Sequence, residues 1–229
     1  MNSLLIKPIA YIYNDYSHKF GIPRQSGLNN EILSTILFNK DFPAEDALRG
    51  IENFSHLWLI WHFSENENKP WSPCVRPPRL GGNKKTGVFA TRSPFRPNPL
   101  GLSSVKLIKK ERTNKGWALI VSGADILSGT PIFDIKPYIT YSDCHPDAIS
   151  GFADQFKDYA LKVDFSEKLL NILPKEKQQA IINVLENDPR PSYQNDPDRI
   201  YGLAFGGYEI KFSVNGERLT VKSVAKIDN

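Results

Sequence analysis

Up to about residue 145, apolar and polar residues alternate in short runs broken by Gly, Pro, Asn and Asp, a pattern that predicts many strands and few helices. Leu4 to Tyr13 reads as a first strand and Thr35 to Phe38 as a short later one. Between them, residues 16–30 are polar and punctuated by Gly21, Pro23 and Gly27, which predicts an ordered loop carrying Pro23-Arg24-Gln25. Pro43 to Gly50 has proline near its start, acids in its first turn and glycine at its end, the signature of a short helix. Phe54 to Phe63 is the strongest strand, because both of its alternating faces are largely apolar and both are therefore expected to be covered. His56, Trp58, Ile60 and His62 share one of those faces. Further strands are predicted over Lys84 to Arg92, Leu102 to Lys109, Trp117 to Val121 and, after the turn Ser128-Gly129-Thr130-Pro131, Ile132 to Tyr141. Strands of this number and length, joined by turns, predict a closed or nearly closed antiparallel β-barrel over residues 1–147.

The pattern changes beyond Asp147. Phe165 to Asn171 and Lys175 to Asn187 read as helices, the second with Ala180, Ile181, Val184 and Leu185 on one side. The segment Asp188-Pro189-Arg190-Pro191-Ser192-Tyr193 is a proline-stiffened loop. The strands Tyr208 to Val214 and Arg218 to Ile227 are joined through Asn215-Gly216, a hairpin signal. Residues 148–229 are thus expected to form a smaller α+β unit on a mainly β protein.

Composition adds three limits. A chain of 229 residues is long enough for one larger and one smaller unit. Cys74 and Cys144 stand alone and far apart, so neither a disulfide framework nor a CxxC metal site is available. The N-terminus lacks the pattern of a signal peptide, and no apolar run approaches the roughly 20 residues of a membrane span, so a cytoplasmic location is expected. His56 and His62 lie without a third His, Cys or acid at suitable spacing, and no metal is expected.

Charge changes the picture more. Between Lys69 and Lys110 there are ten Lys or Arg and no acid, against nineteen basic and twenty-five acidic residues elsewhere. Basic residues interleaved with Trp71, Phe89 and Phe95 suit an anionic ligand with flat bases, although such a run also makes an ordinary solvated face. Ser93-Pro94-Phe95-Arg96-Pro97-Asn98-Pro99 cannot continue a strand, since three prolines remove donors and fix φ, so it makes a stiff cationic loop between two strands. Dinucleotide, P-loop and nucleophile-elbow motifs are absent. What remains is a set of loops able to expose backbone groups to an adenine or an amino-acid group. Asp134, Lys136 and Tyr138 alternate onto one strand face, as a structural ion pair or as catalytic groups.

Several of these stretches together resemble a known family. Val75 to Gly82, Gly87-Val88-Phe89-Ala90-Thr91-Arg92-Ser93-Pro94-Phe95-Arg96-Pro97-Asn98-Pro99, Gly129-Thr130-Pro131 and Asp134-Ile135-Lys136-Pro137-Tyr138 are similar to the tRNA N6-threonylcarbamoyladenosine methyltransferases. The resemblance continues through Phe54-Ser55-His56-Leu57-Trp58 and Asp188-Pro189-Arg190-Pro191. It implies an S-adenosylmethionine-dependent enzyme on an antiparallel barrel rather than a Rossmann sheet, a homodimer with the cofactor near the subunit interface. The implied substrate is the threonylcarbamoyl-modified adenosine beside the anticodon of a threonine tRNA. The family's cofactor contacts fall on Pro23, Arg24, Gln25, Phe63, Ser64, Arg92, Leu102, Ser128, Gly129, Thr130 and Pro131. Ser128 stands where relatives commonly have an acid, so the contact there is expected from backbone groups. Lys84, Lys85, Arg96, Lys136 and Arg190 are the cations expected to meet the RNA, Arg96 or Lys136 taking the carboxylate of the threonyl arm. The adenosine N6 is a poor nucleophile, so catalysis would rest mainly on holding the reacting atoms about 3 Å apart. Asp134, Tyr138 and His62 are candidates for a base or polarising donor. Without the resemblance, the charge pattern favours a non-catalytic RNA-binding barrel that holds no cofactor; a methyltransferase acting on an anionic small molecule is a third reading.

Overall fold

A computed structural model describes residues 4–67, 69–157, 159–190, 194 and 196–227. In the first half the strands are β1 (Ala10–Tyr13), β2 (Leu33–Phe38), β3 (His56–His62), β4 (Cys74–Val75), β5 (Thr86–Gly87), β6 (Leu100–Thr113), β7 (Gly116–Ser122) and β8 (Thr130–Pro137). Six of them are hydrogen-bonded in the closed order β1-β2-β7-β6-β3-β8, every neighbouring pair antiparallel. Alternation explains what fills the ring: Ile12, Ile36, Leu57, Leu59, Leu119 and Ile132 point inward and are wholly buried.

Several expected elements take a different form. The first strand shrinks to Ala10–Tyr13. The strand expected over Lys84 to Arg92 is reduced to Thr86–Gly87, paired with Cys74–Val75. Val88 is pulled inward, its N–H donating to the Pro73 carbonyl at 3.0 Å, and the chain turns through a 3-10 helix at Val88–Ala90. β8 stops at Pro137, which has no N–H to offer a ladder, and a short helix, Thr140–Asp143, replaces the predicted strand end. Asp143 Oδ2 holds it in place, accepting from the Ile139 N–H at 2.9 Å and from the Trp58 indole N–H at 2.8 Å. On β3 one face is fully buried, whereas Trp58, Ile60 and His62 opposite are half-buried and His56 is exposed.

The C-terminal unit contains β9 (Lys162–Asp164), β10 (Tyr201–Phe205), β11 (Tyr208–Asn215) and β12 (Arg218–Lys226), in the order β10-β11-β12-β9. A short helix at Glu167–Leu170 and a longer one at Lys175–Glu186 accompany them, the latter burying Ala180, Ile181, Val184 and Leu185 as expected. The hairpin loop is Gly216-Glu217, one residue later than predicted, since Asn215 pairs with Arg218. β9 joins parallel to β12, and neither β9 nor β10 was apparent in the sequence.

The polar segment after β1 ties the two units together. Tyr16 and Ile32 belong to the C-terminal hydrophobic cluster, with Phe20 and Ile22 packed against it. Gly21 is needed there twice over: its φ is +94°, and a Cβ would lie 2.3 Å from Leu203 Cδ1. Asp15 and Lys177 add an ion pair at 2.6 Å across the same junction.

Of the proline-stiffened loop, Asp188 to Arg190 are described, and Pro191, Ser192 and Tyr193 lie outside the described residues. Asp188 accepts from Arg190 Nε at 2.8 Å and Nη2 at 3.0 Å, and from the Tyr159 hydroxyl at 2.8 Å. Burial pushes this carboxyl up, but the Arg190 and Tyr159 hydrogen bonds outweigh it and hold it below the usual carboxylate range. A depressed folded-state value means stability that is present above the ordinary carboxylate range and lost as pH falls through the depressed one. Asp188→Asn is therefore expected to cost about 3 kcal/mol near neutrality, by stranding a buried guanidinium. Urea unfolding should show the gap between wild type and variant narrowing in acid, as pH falls below the ordinary carboxylate range toward the depressed folded-state value and the Asp188 carboxyl takes up its proton. An equal gap at both pH values would remove the pair from the account.

Candidate active site

A cavity of about 480 Å3 opens where the ends of β3 and β6 meet the loop at residues 23–25, the proline loop and the turn before β8. Its floor is aromatic. Trp61 is buried at the end of β3, 4.3 Å centroid to centroid from Phe63, and the Phe63 N–H donates to the Pro99 carbonyl at 2.8 Å, which fastens the end of β3 to the start of β6. Gly101 sits directly across from Trp61 in the ladder, and a Cβ there would lie 2.2 Å from the indole. The absence of that side chain is what lets the indole lie flat against the strand.

The loops are shaped by their own polar groups. Arg96 donates to the carbonyls of Thr91 at 2.8 Å and Val88 at 3.3 Å and lies 5.7 Å over the Phe89 ring, so the proline loop is folded around its own arginine. Arg92, exposed at the cavity edge, donates to Gln25 Oε1 and so joins the proline loop to the 23–25 loop. Arg24 Nη2 donates to the Arg190 carbonyl at 3.1 Å, linking the same loop to the C-terminal unit.

One wall carries a carboxylate in a poorly solvated place. Asp125 Oδ1 accepts from Ser103 Oγ at 2.5 Å, and Ser103 Oγ in turn accepts from the Trp61 indole N–H at 3.0 Å. A hydroxyl has one proton, so the direction of this relay is fixed: indole to serine to carboxylate. Burial pushes the Asp125 carboxyl up, against the Ser103 hydrogen bond and the positive charge of Arg92. Asp125 lies just past the apolar run of β7, and an acid at that point is its one local signal in the sequence; Trp61, within an apolar strand, carries none.

Of the expected cofactor contacts, Pro23, Arg24, Gln25, Phe63, Ser64, Arg92, Leu102 and Thr130 line the cavity, as do Arg96 and His62. Ser128, Gly129 and Pro131 do not line it: Ser128 Oγ accepts the Asn14 N–H at 3.2 Å, Gly129 donates to the Ile12 carbonyl at 2.7 Å, and Pro131 faces Tyr11 in the β1–β8 ladder. Asp134 and Lys136 form a surface ion pair at 2.9 Å, and Tyr138 packs at 5.6 Å from the Trp58 ring; Trp58 lines the cavity, but neither Asp134 nor Tyr138 does. Lys84 and Lys85 are exposed in the loop between β4 and β5. Arg190 corrects the expectation placed on it. It is only 7% exposed and its guanidinium is paired with Asp188, not presented on the surface as a free cation would be.

Chemically, the site offers an aromatic and aliphatic side formed by Trp61, Phe63, Leu102 and Pro23, and a charged edge formed by Arg92 and Asp125. That donor set fits a flat base joined to a charged polar tail.

Comparison with known proteins finds relatives over nearly the whole chain. Residues 11–144 match the model of the tRNA-methyltransferase O N-terminal domain, and residues 158–227 that of the TrmO C-terminal domain. A tRNA (adenine(37)-N6)-methyltransferase of Escherichia coli K12 is 37% identical, over 93% of this chain and 94% of the relative. A Pseudomonas aeruginosa protein named as an S-adenosylmethionine-dependent methyltransferase is 41% identical, over 86% of this chain and 87% of its own length. A crystal structure of TrmO from Pseudomonas aeruginosa superposes with a TM-score of 0.75 at 31% identity, covering 98% of this chain and all of that one (100%).

Proposed function

The chain belongs to the tRNA-methyltransferase O family, and on that premise we propose that it methylates N6 of the threonylcarbamoyl-modified adenosine at position 37 of tRNA, with S-adenosylmethionine as donor. The observation that carries this reading is the cavity itself. About 480 Å3 is within the usual span of a small-molecule site, and an aromatic side with a charged edge matches an adenosine joined to an amino acid. Pro23, Phe63, Leu102 and the neighbouring backbone at Thr130 would hold the nucleoside, with Arg92 and Gln25 at the charged edge.

When bound, the cofactor supplies a methyl group on a positively charged sulfur, activated without help from the protein. What the chain contributes is orientation, exclusion of water and a place for the proton that N6 gives up. Among the candidate bases His62 lines the cavity, while Asp134 is engaged by Lys136, so His62 is the candidate retained. The half-buried outer face of β3, continued by the exposed Leu100 and Leu102, supports pairing with a second copy of the chain next to the cofactor. Lys84 and Lys85 are proposed to meet tRNA phosphates, and residues 148–229 to help recognise a threonine-accepting tRNA. A cytoplasmic location belongs to the same proposal; no helix among the described residues is long and apolar enough to cross a membrane.

The test is transfer of a radiolabelled methyl group to tRNA with and without the threonylcarbamoyl group. Label should enter the modified tRNA alone, at adenosine 37. Equal labelling of both, or of neither while tRNA still binds, would refute this reading.

A further inference from the structure

Two oppositely charged groups edge the same cavity, and each is held by a neutral partner. Arg92 is held by the Gln25 carbonyl oxygen, and Asp125 by the Ser103 hydroxyl, which the Trp61 indole fixes in turn. The other carboxylate at the cavity, Glu65, is exposed at the rim with Lys19 beside it at 3.9 Å, so Asp125 is the acid turned toward the interior. A guanidinium beside a carboxylate is complementary to one kind of ligand group above others: an α-amino acid, whose carboxylate and ammonium hang from the same carbon. The threonylcarbamoyl arm of the RNA has a carboxylate, but its amino nitrogen is acylated and neutral. The amino-acid end of the cofactor has both charges.

We infer that Arg92 and Asp125 together form the receptor for the zwitterionic amino-acid end of S-adenosylmethionine, Arg92 taking the carboxylate and Asp125 the ammonium, held in aim by Ser103. The inference rests on the cofactor reading above and adds to it a residue, Asp125, with a defined partner on the ligand. The raised Asp125 carboxyl agrees with this: its charge is costly in the free protein and is compensated when a cation arrives.

Calorimetric binding of three ligands, with no catalysis involved, tests it: S-adenosylmethionine, S-adenosylhomocysteine, which lacks the sulfonium charge, and methylthioadenosine, which lacks the amino-acid end. Asp125→Asn is expected to weaken the first two by about ten- to a hundred-fold and to leave the third within about twofold. Its unfolding midpoint at neutral pH should match or exceed that of the wild type, since a poorly solvated charge has been removed. Parallel loss of methylthioadenosine would reduce Asp125 to a part of the wall and overturn the proposal. Loss of S-adenosylmethionine with S-adenosylhomocysteine retained would assign it to the sulfonium instead, and unchanged binding of all three would remove it from the site. Wild-type protein that binds none of the three overturns the cofactor reading, and this proposal with it. Should Asp125→Asn fail to fold, Ser103→Ala keeps the carboxylate but frees it to rotate. The preference for S-adenosylhomocysteine over methylthioadenosine should then fall by about threefold, and an unaltered preference would overturn the assignment.

Discussion

Arg92→Ala is expected to weaken S-adenosylmethionine binding by about ten- to a hundred-fold and to remove nearly all methyl transfer to modified tRNA, without unfolding the protein. Arg92 stands at the start of the proline loop, exposed, with Gln25 accepting its hydrogen bond, so it does little for the core. Removing an exposed side chain of this kind usually changes stability by no more than about 0.5 kcal/mol. What it does is supply a planar cation at the edge of the cavity and fasten the two loops that form the opening. Arg92→Lys should recover only part of the affinity, because an ammonium cannot reach Gln25 and a ligand carboxylate in one plane. Calorimetry with the cofactor, alongside single-turnover methylation and a thermal melt, reads the three effects separately. A variant with full cofactor affinity would take Arg92 out of the site, and a variant that melts early would make it structural.

Some of this was legible in the sequence and some was not, for physical reasons that differ from residue to residue. Most strands of the ring were legible because about half of each is buried, and burial on one face imposes alternation. β3 is the instructive exception. Its second face is as apolar as its first, and alternation alone could not tell that Trp58, Ile60 and His62 would remain half-exposed on the described chain. The proline loop was recognisable because proline acts locally. The stretch before it was misread as a strand, since what bends the chain at Val88 is a hydrogen bond to Pro73, fifteen residues away and invisible to any local pattern. Likewise β9 is three residues long and gains its place only by lying parallel to β12.

The site divides in the same way. Motif loops carried the expected cofactor contacts at Pro23, Gln25, Phe63, Arg92 and Leu102, and the fold brings these residues to one cavity. Charge alone does not tell a surface cation from a buried one. Arg190 reads as a cation in a proline loop, yet Asp188 two residues before it turns it inward, and a pairing at that spacing depends on the positive φ of Asp188, +50°. Asp125 failed to stand out for the opposite reason: a single acid after a strand is commonplace, and its meaning comes from Ser103 and Trp61 on strands that are distant in sequence.

Gly101→Ala is the substitution for which sequence and structure give the most different answers. In a strand, replacing glycine by alanine ordinarily costs little or is favourable, because glycine loses more backbone freedom on folding. Here the new methyl would have to occupy a point 2.2 Å from the Trp61 indole, and the flanking atoms of the ring are 2.4 Å and 2.6 Å away. Trp61 is 6% exposed and pinned by Ser103 on one side and Phe63 on the other, so the ring cannot yield by a small rotation. It must leave its place, breaking the hydrogen bond to Ser103 and swinging toward the cavity, the one space next to it. Overpacking costs about 1 to 3 kcal/mol and a stranded buried polar group about as much again, so a loss of about 2 to 5 kcal/mol is expected, together with a cavity too small for the cofactor. Gly202 is the control. It also lies in a strand, but the nearest atom to its Cβ would be the end of the Glu209 side chain at 3.4 Å, which can move aside. Gly202→Ala should therefore unfold in urea at or close to the wild-type midpoint and bind S-adenosylmethionine as wild type does. If Gly101→Ala behaved like Gly202→Ala in both measurements, the packing of Trp61 against β6 would not be what holds the floor of the cavity in place.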